Sequence, residues 1–183
     1  MPVTLPSDDD IAVPVIRTDF SDDAAWERLL QALQTPVALK DPSAPAEGEP
    51  DANNADHIDF FTAADVHVTP VSDRRYEGFQ ADDVLQLAQA GRDLDYDHLY
   101  LADTQALAEG PLPLLGIDID PEGERATPFR IPVLNIAGVE NNVDLGNMYF
   151  SEFHDHLWPE HDLIAAQPGT AVWNEYQSLN DEG

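Results

Sequence analysis

The chain has no cysteine, and among its 183 residues there is a single lysine, Lys40. Without thiols, disulfides, thiolate nucleophiles and thiolate metal sites are excluded. No run of 18 apolar residues occurs, which excludes a transmembrane helix. MPVTLPSDDD carries neither the basic region nor the apolar core of a signal peptide, so a cytoplasmic protein is expected. There is no GxSxG, no GxGxxG and no phosphate-binding glycine loop, so no cofactor is expected. No repeat of solenoid length is found either.

What is abundant is negative charge. Thirty-six acids face eight bases, Asp outnumbers Glu by 24 to 12, and the net charge is −28. Such a surface repels phosphate, so direct binding to nucleic acid or to an anionic membrane is not expected. Three explanations compete: adaptation to a salty cytoplasm, a docking surface for a basic protein in the manner of a nuclease inhibitor, or solubility alone. The acids are spread along the whole chain, which favours the bulk explanations over a localised tail. With 43% hydrophobic residues there is material for a core, so global disorder is not expected.

Residues 1–12 read as a flexible acidic arm, residues 13–158 as one domain, and residues 159–183 as an extension. VPVIRTDF (13–20) has the composition of a buried strand. Ser21 follows as a helix cap, and Ala25, Trp26, Leu29, Leu30 and Leu33 recur at helical spacing until Pro36. DPSAPAEGEPDANNA (41–55) reads as a loop insertion. Strands are expected near 59–62 and 65–71, a helix over 81–90 and a strand in HLYLAD (98–103). PLLGIDID and TPFRIPVLNIAGVE read as two strands joined by a PEGER turn. Strand–helix alternation followed by an antiparallel pair predicts an α/β fold, with α+β as the neighbouring class. A mixed sheet with two to four helices, in two or three layers, is expected.

Several residues invite a chemical reading. Asp19 and Asp103 each close an expected strand, and carboxylates at adjacent strand ends commonly hold Mg²⁺. The plainer reading has Asp19 assisting the helix start and Arg17 pairing with an acid. His154, His156 and His161 are metal-ligand types, and His57 and His67 could join them. On a helix, however, residues two apart point away from each other. GIDIDPEGE imitates the start of an EF-hand loop, but its twelfth position is Phe129 and no flanking helices appear. VENNVDLGNMYF reads as a structural corner whose asparagines satisfy backbone groups. Its functional version has Glu140, Asn141, Asn142 and Asn147 lining a pocket mouth.

Two segments, IRTDFSDDAAWERLL (16–30) and FRIPVLNIAGVENNVDLGNMYFSEF (129–153), resemble an uncharacterised bacterial family of small domains of unknown function. In that family an R-T-D-F strand end precedes a Trp-containing helix, and an E-N-N…N-M segment closes the domain. LYLADTQAL is similar to its central strand. The insertion at 41–55 and the extension beyond residue 158 depart from the pattern. The resemblance implies one α/β domain and no particular activity. It marks Arg17, Asp19, Glu140, Asn141, Asn142 and Asn147 as the residues of interest. The resulting expectation is a non-enzymatic acidic binding protein, most concretely an immunity- or inhibitor-type partner of a basic protein. A small metal-assisted enzyme using strand-end carboxylates, or a salt-adapted housekeeping domain, is the competing expectation.

Overall fold

Val13–Arg17 forms strand β1, and every residue of it is buried, as a short β-branched run between polar flanks demands. A computed structural model describes residues 3–7, 12–39, 60–61, 68–90, 94–108, 110, 112–120, 127–159, 163–170, 173–174 and 176–177. After β1 come α1 (Asp23–Leu33), β2 (Val37–Leu39), β3 (Phe60–Phe61), β4 (Val68–Val71), α2 (Ala81–Ala90), β5 (His98–Ala102), β6 (Pro113–Asp118), β7 (Phe129–Pro132), α3 (Val133–Asp144) and β8 (Leu163–Ala165). The main sheet has the order β4-β1-β5-β6-β7. β1 is parallel to both β4 and β5, whereas β5, β6 and β7 run antiparallel. The fold is therefore α/β with a mixed sheet.

Alternation along the central strands builds two cores. Val13, Val15, Tyr100, Leu114 and Ile131 pack with α1 and α3 on one face. Ile16, Leu99, Leu101 and Ile117 pack with Val84 of α2 and with Leu5 on the other. This is a three-layer arrangement, and β5 is buried along its whole length between the layers. A small second sheet, β3-β2-β8, is antiparallel throughout.

The structure changes four sequence expectations. Val133–Asp144 is a helix, not the continuation of a strand. Its aliphatic residues suggested β structure, but Val133, Ile136, Ala137, Val139 and Glu140 are all buried. A helix enclosed on most sides shows little amphipathic contrast. Asp22, not Ser21, caps α1, accepting from Ala25 N at 3.1 Å. Residues 3–7 are not a free arm: Leu5 is buried, and Thr4 O and Pro6 O accept hydrogen bonds from the Tyr76 and Tyr96 hydroxyls. Finally, part of the supposed extension completes the second sheet, because β8 pairs with β2. The 41–55 insertion lies outside the described residues.

Candidate functional site

The carboxyl ends of β1 and β5 lie side by side, but their chains leave in opposite directions. β1 leads through α1 and the small sheet to β4 on one side, while β5 leads to β6 on the other. Diverging loops at such a switch point leave a crevice. Here it measures about 290 Å³ and is lined by Thr18, Asp19, Phe20, Glu77, Asp103 and Thr104, among others. The sequence-selected carboxylates Asp19 and Asp103 thus share one crevice wall.

Arg17 explains why the R-T-D-F-S segment folds as it does. The guanidinium is buried, donates to Asp19 O at 2.8 Å and pairs with Asp23 at 2.7 Å. It also lies over Phe20 at 4.5 Å and Trp26 at 5.6 Å. Arg74 covers the same Phe20 ring at 4.9 Å. Cation–π stacking and the ion pair together fix the corner between strand and helix. Asp19 turns its carboxylate to Ser21 N at 2.9 Å. The Ser21 hydrogen bonds, with a further one from Thr104, hold its carboxyl below the usual range. Asp103 is clamped by Arg130, with contacts of 2.8 and 2.6 Å to its two oxygens. Burial would raise its carboxyl, but that clamp wins and lowers it.

The E-N-N…N-M segment divides between two tasks. Asn142 is part of the helix exit: its Nδ2 donates to Gly138 O at 2.8 Å, and its own carbonyl accepts from Asn147 N at 2.9 Å. Asn147 is exposed and donates weakly to Asn142 Oδ1 at 3.3 Å. Asn141 accepts from Leu145 N through its carbonyl. The asparagines therefore finish a helix and do not line either of the clefts at the ends of the main sheet.

Glu140 is different, because it is 0% exposed. It faces His98, whose Nε2 lies 2.9 Å from Glu140 Oε1, and the Tyr100 hydroxyl donates to the same oxygen. His98 Nδ1 reaches Asp97 at 2.6 Å, and Phe150 stacks on the imidazole at 4.2 Å. Burial alone would pull the His98 pKa down, but the flanking Glu140 and Asp97 raise it to about 9. The imidazolium therefore donates from both nitrogens at neutral pH. Burial and Glu140 push the Tyr100 hydroxyl well above its ordinary value. Glu140 Oε2 has no partner among the described residues. This line of groups sits at the amino end of β5, where a second cleft of about 450 Å³ is lined by Asp95, Tyr96, Asp97, His98 and Asp144, among others.

His98, Tyr100 and Asp97 were not singled out in the sequence. A signal was present: His98 and Tyr100 are two apart in an otherwise apolar strand, so both point to one face. Their partner, however, is 42 and 40 residues away. The histidines that were singled out do not converge. His154 pairs with its neighbour Asp155 at 2.7 Å, and His156 Nδ1 donates to Glu152 O at 2.7 Å. His161, His57 and His67 lie outside the described residues. Among the described residues no group of three or more His, Asp or Glu is placed to hold a metal ion, and Asp103 already has both oxygens on Arg130. No helix among them is long and apolar enough to cross a membrane.

No curated protein and no solved structure matches the chain. A protein-family model does match, over residues 12–161, and it spans both sheet ends, the R-T-D-F-S corner and the E-N-N…N-M helix exit. The chain therefore belongs to the family described as a domain of unknown function, DUF6924.

Proposed function

We propose that this protein is a non-enzymatic acidic binding module, and that its partner is a basic protein docking on the rim of the crevice at the carboxyl ends of β1 and β5. The observation that carries the reading is how charge is distributed there. Asp19, Glu77 and Asp103 line the crevice, and Asp22, Asp23, Asp82 and Asp83 stand exposed at the starts of α1 and α2 beside it. The nearby arginines are already committed: Arg17 to Asp23, Arg74 to Glu77 and Arg130 to Asp103. Carboxylates outnumber guanidiniums on this rim, so an approaching cationic surface is attracted. A hydrolytic or metal-assisted role finds less support, because Asp103 is clamped and Asp19 is already hydrogen-bonded.

The test is capture from a lysate of the source organism at low and at high salt, with quantification of what is retained. One basic protein held in stoichiometric amount at low salt and released at high salt supports the reading. Nothing specific at either salt contradicts it. The competing salt-adaptation reading is separated by the unfolding midpoint. If acidity serves only a salty cytoplasm, stability rises steeply from low to molar salt as self-repulsion is screened.

A further inference from the structure

Residues 3–7, VTLPS, carry no charge in a chain of net charge −28, and they lie outside the span 12–161 that the family model matches. They are nevertheless seated in the fold. Leu5 is 5% exposed, and Pro6 is buried beside it. Leu5 joins a core that includes Tyr76, Val84, Tyr96 and Ile119, all of which belong to the matched span. The domain thus supplies a groove, and a segment from outside the domain fills it.

The segment is held as a bound peptide is held. It belongs to no helix or strand. The Tyr76 hydroxyl donates to Thr4 O at 2.8 Å, and the Tyr96 hydroxyl donates to Pro6 O at 2.7 Å. Two tyrosines therefore read alternate main-chain carbonyls, with Leu5 between them as the apolar anchor. Burial holds the Tyr96 hydroxyl above its ordinary value, so it remains a donor. Pro6 has no N–H to satisfy, and it restricts Leu5 to extended backbone. A Leu-Pro pair thus offers carbonyls and one anchor with little conformational freedom to lose, as in the proline-containing segments that dock in aromatic-lined grooves. A short segment held this way opens at a lower free energy than the whole domain unfolds.

We propose that the groove between Tyr76 and Tyr96 is a docking site for an uncharged Leu-Pro segment of a partner protein, and that residues 3–7 occupy it in cis as a displaceable strap. The occupant's chemistry is the one the strap displays: two alternate carbonyls, a leucine and a proline. The contact uses no charge, so it is independent of the acidic crevice.

The experiment is an amide-resolved NMR titration of the full chain with the capped peptide Val-Thr-Leu-Pro-Ser. Leu5→Ser loosens the strap and leaves the groove intact, and in that protein the peptide is expected to give saturable shifts at Tyr76, Val84 and Tyr96. In the native chain the tethered strap competes at an effective concentration on the order of millimolar, so the apparent affinity should be weaker by about tenfold or more. A peptide with serine in place of its leucine should give no shifts. Leu5→Ala takes the place of Leu5→Ser if the latter does not fold. Shifts that never saturate overturn the proposal. So does equal affinity in the native and substituted proteins, or equal affinity for the peptide without leucine. Light scattering tests the other occupant: a concentration-dependent dimer of the native chain that Leu5→Ser abolishes would assign the groove to the strap of a second copy and overturn a separate partner.

Discussion

The two ends of the main sheet treat charge in opposite ways. At the carboxyl end, the carboxylates of the ion pairs reach the surface: Asp23, the partner of the buried Arg17, is 84% exposed, and Glu77 and Arg74 are both exposed. At the amino end, Glu140 and His98 are sealed between β5, α3 and Phe150. A surface carboxylate remains available to a partner and costs little to alter. A buried one is tied to its cation, because its desolvation must be offset inside the protein. One end can therefore change its interactions, while the other holds α3 against the sheet.

The largest effect should come from breaking the buried end. His98→Leu leaves the Glu140 carboxylate without its cation, and unfolding by denaturant should show a loss of about 3–5 kcal/mol. Substituting Glu140→Leu in the same protein should recover much of that loss, since a matched apolar pair no longer buries a charge. A loss below about 1 kcal/mol in the single variant would mean that Glu140 is not charged in the fold. Gly116→Ala comes next. A Cβ at Gly116 would stand 2.7 Å from the Phe150 ring, the ring that stacks on His98, and overpacking there should cost about 1–3 kcal/mol.

The pH dependence sharpens the same contrast. The folded pKa of His98, about 9, exceeds its ordinary 6.5. Its contribution, on the order of 3 kcal/mol, is fully present below the ordinary value and is lost as pH rises through about 9. Asp97 is held below its usual 3.8 by its hydrogen bond to His98. Its contribution is present above that value and is lost as pH falls through the depressed one. A melting temperature that declines through pH 9 in the native chain, and does not do so in the His98→Leu/Glu140→Leu protein, is the expected result. At the exposed end the effects are smaller. Asp22→Ala removes the α1 cap and should cost about 1 kcal/mol. Away from that end, at the exposed exit of α3, Asn147→Ala loses one long hydrogen bond and should change stability by less than about 0.5 kcal/mol.

Much of this architecture is legible in the residues alone. Val13–Arg17, the 3.6-residue pattern of Trp26, Leu29 and Leu33, the α2 helix and the strand HLYLA follow from periodicity and capping, and the β6–β7 pairing follows from the turn between them. α3 escaped because burial removes the polar face that marks a helix. Gly138 within it admits Trp158, whose ring lies 2.8 Å from where a Cβ would stand. Of the small sheet, β3 falls within the strand expected near 59–62, whereas β2 and β8 escaped because each is three residues long and β8 lies more than 120 residues beyond β2. Asp19 and Asp103 line one crevice, since parallel neighbouring strands end on the same side. That Arg130 clamps Asp103 could not be read, because the contact depends on the register of β7 against β6. The His98–Glu140 pair depends in the same way on how α3 packs over β5.

On the proposed reading, the carboxyl-end rim, and not the general acidity of the chain, receives the partner. The direct measurement compares partner retention at low salt for Glu77→Lys/Asp82→Lys with that for Asp95→Lys/Asp144→Lys, which makes the same change of charge at the opposite end. Loss of binding in the first protein alone, with unfolding midpoints of both near that of the native chain, is the expected result. Equal loss in both, or retention in both, would contradict it, because net charge or some other surface would then govern the interaction.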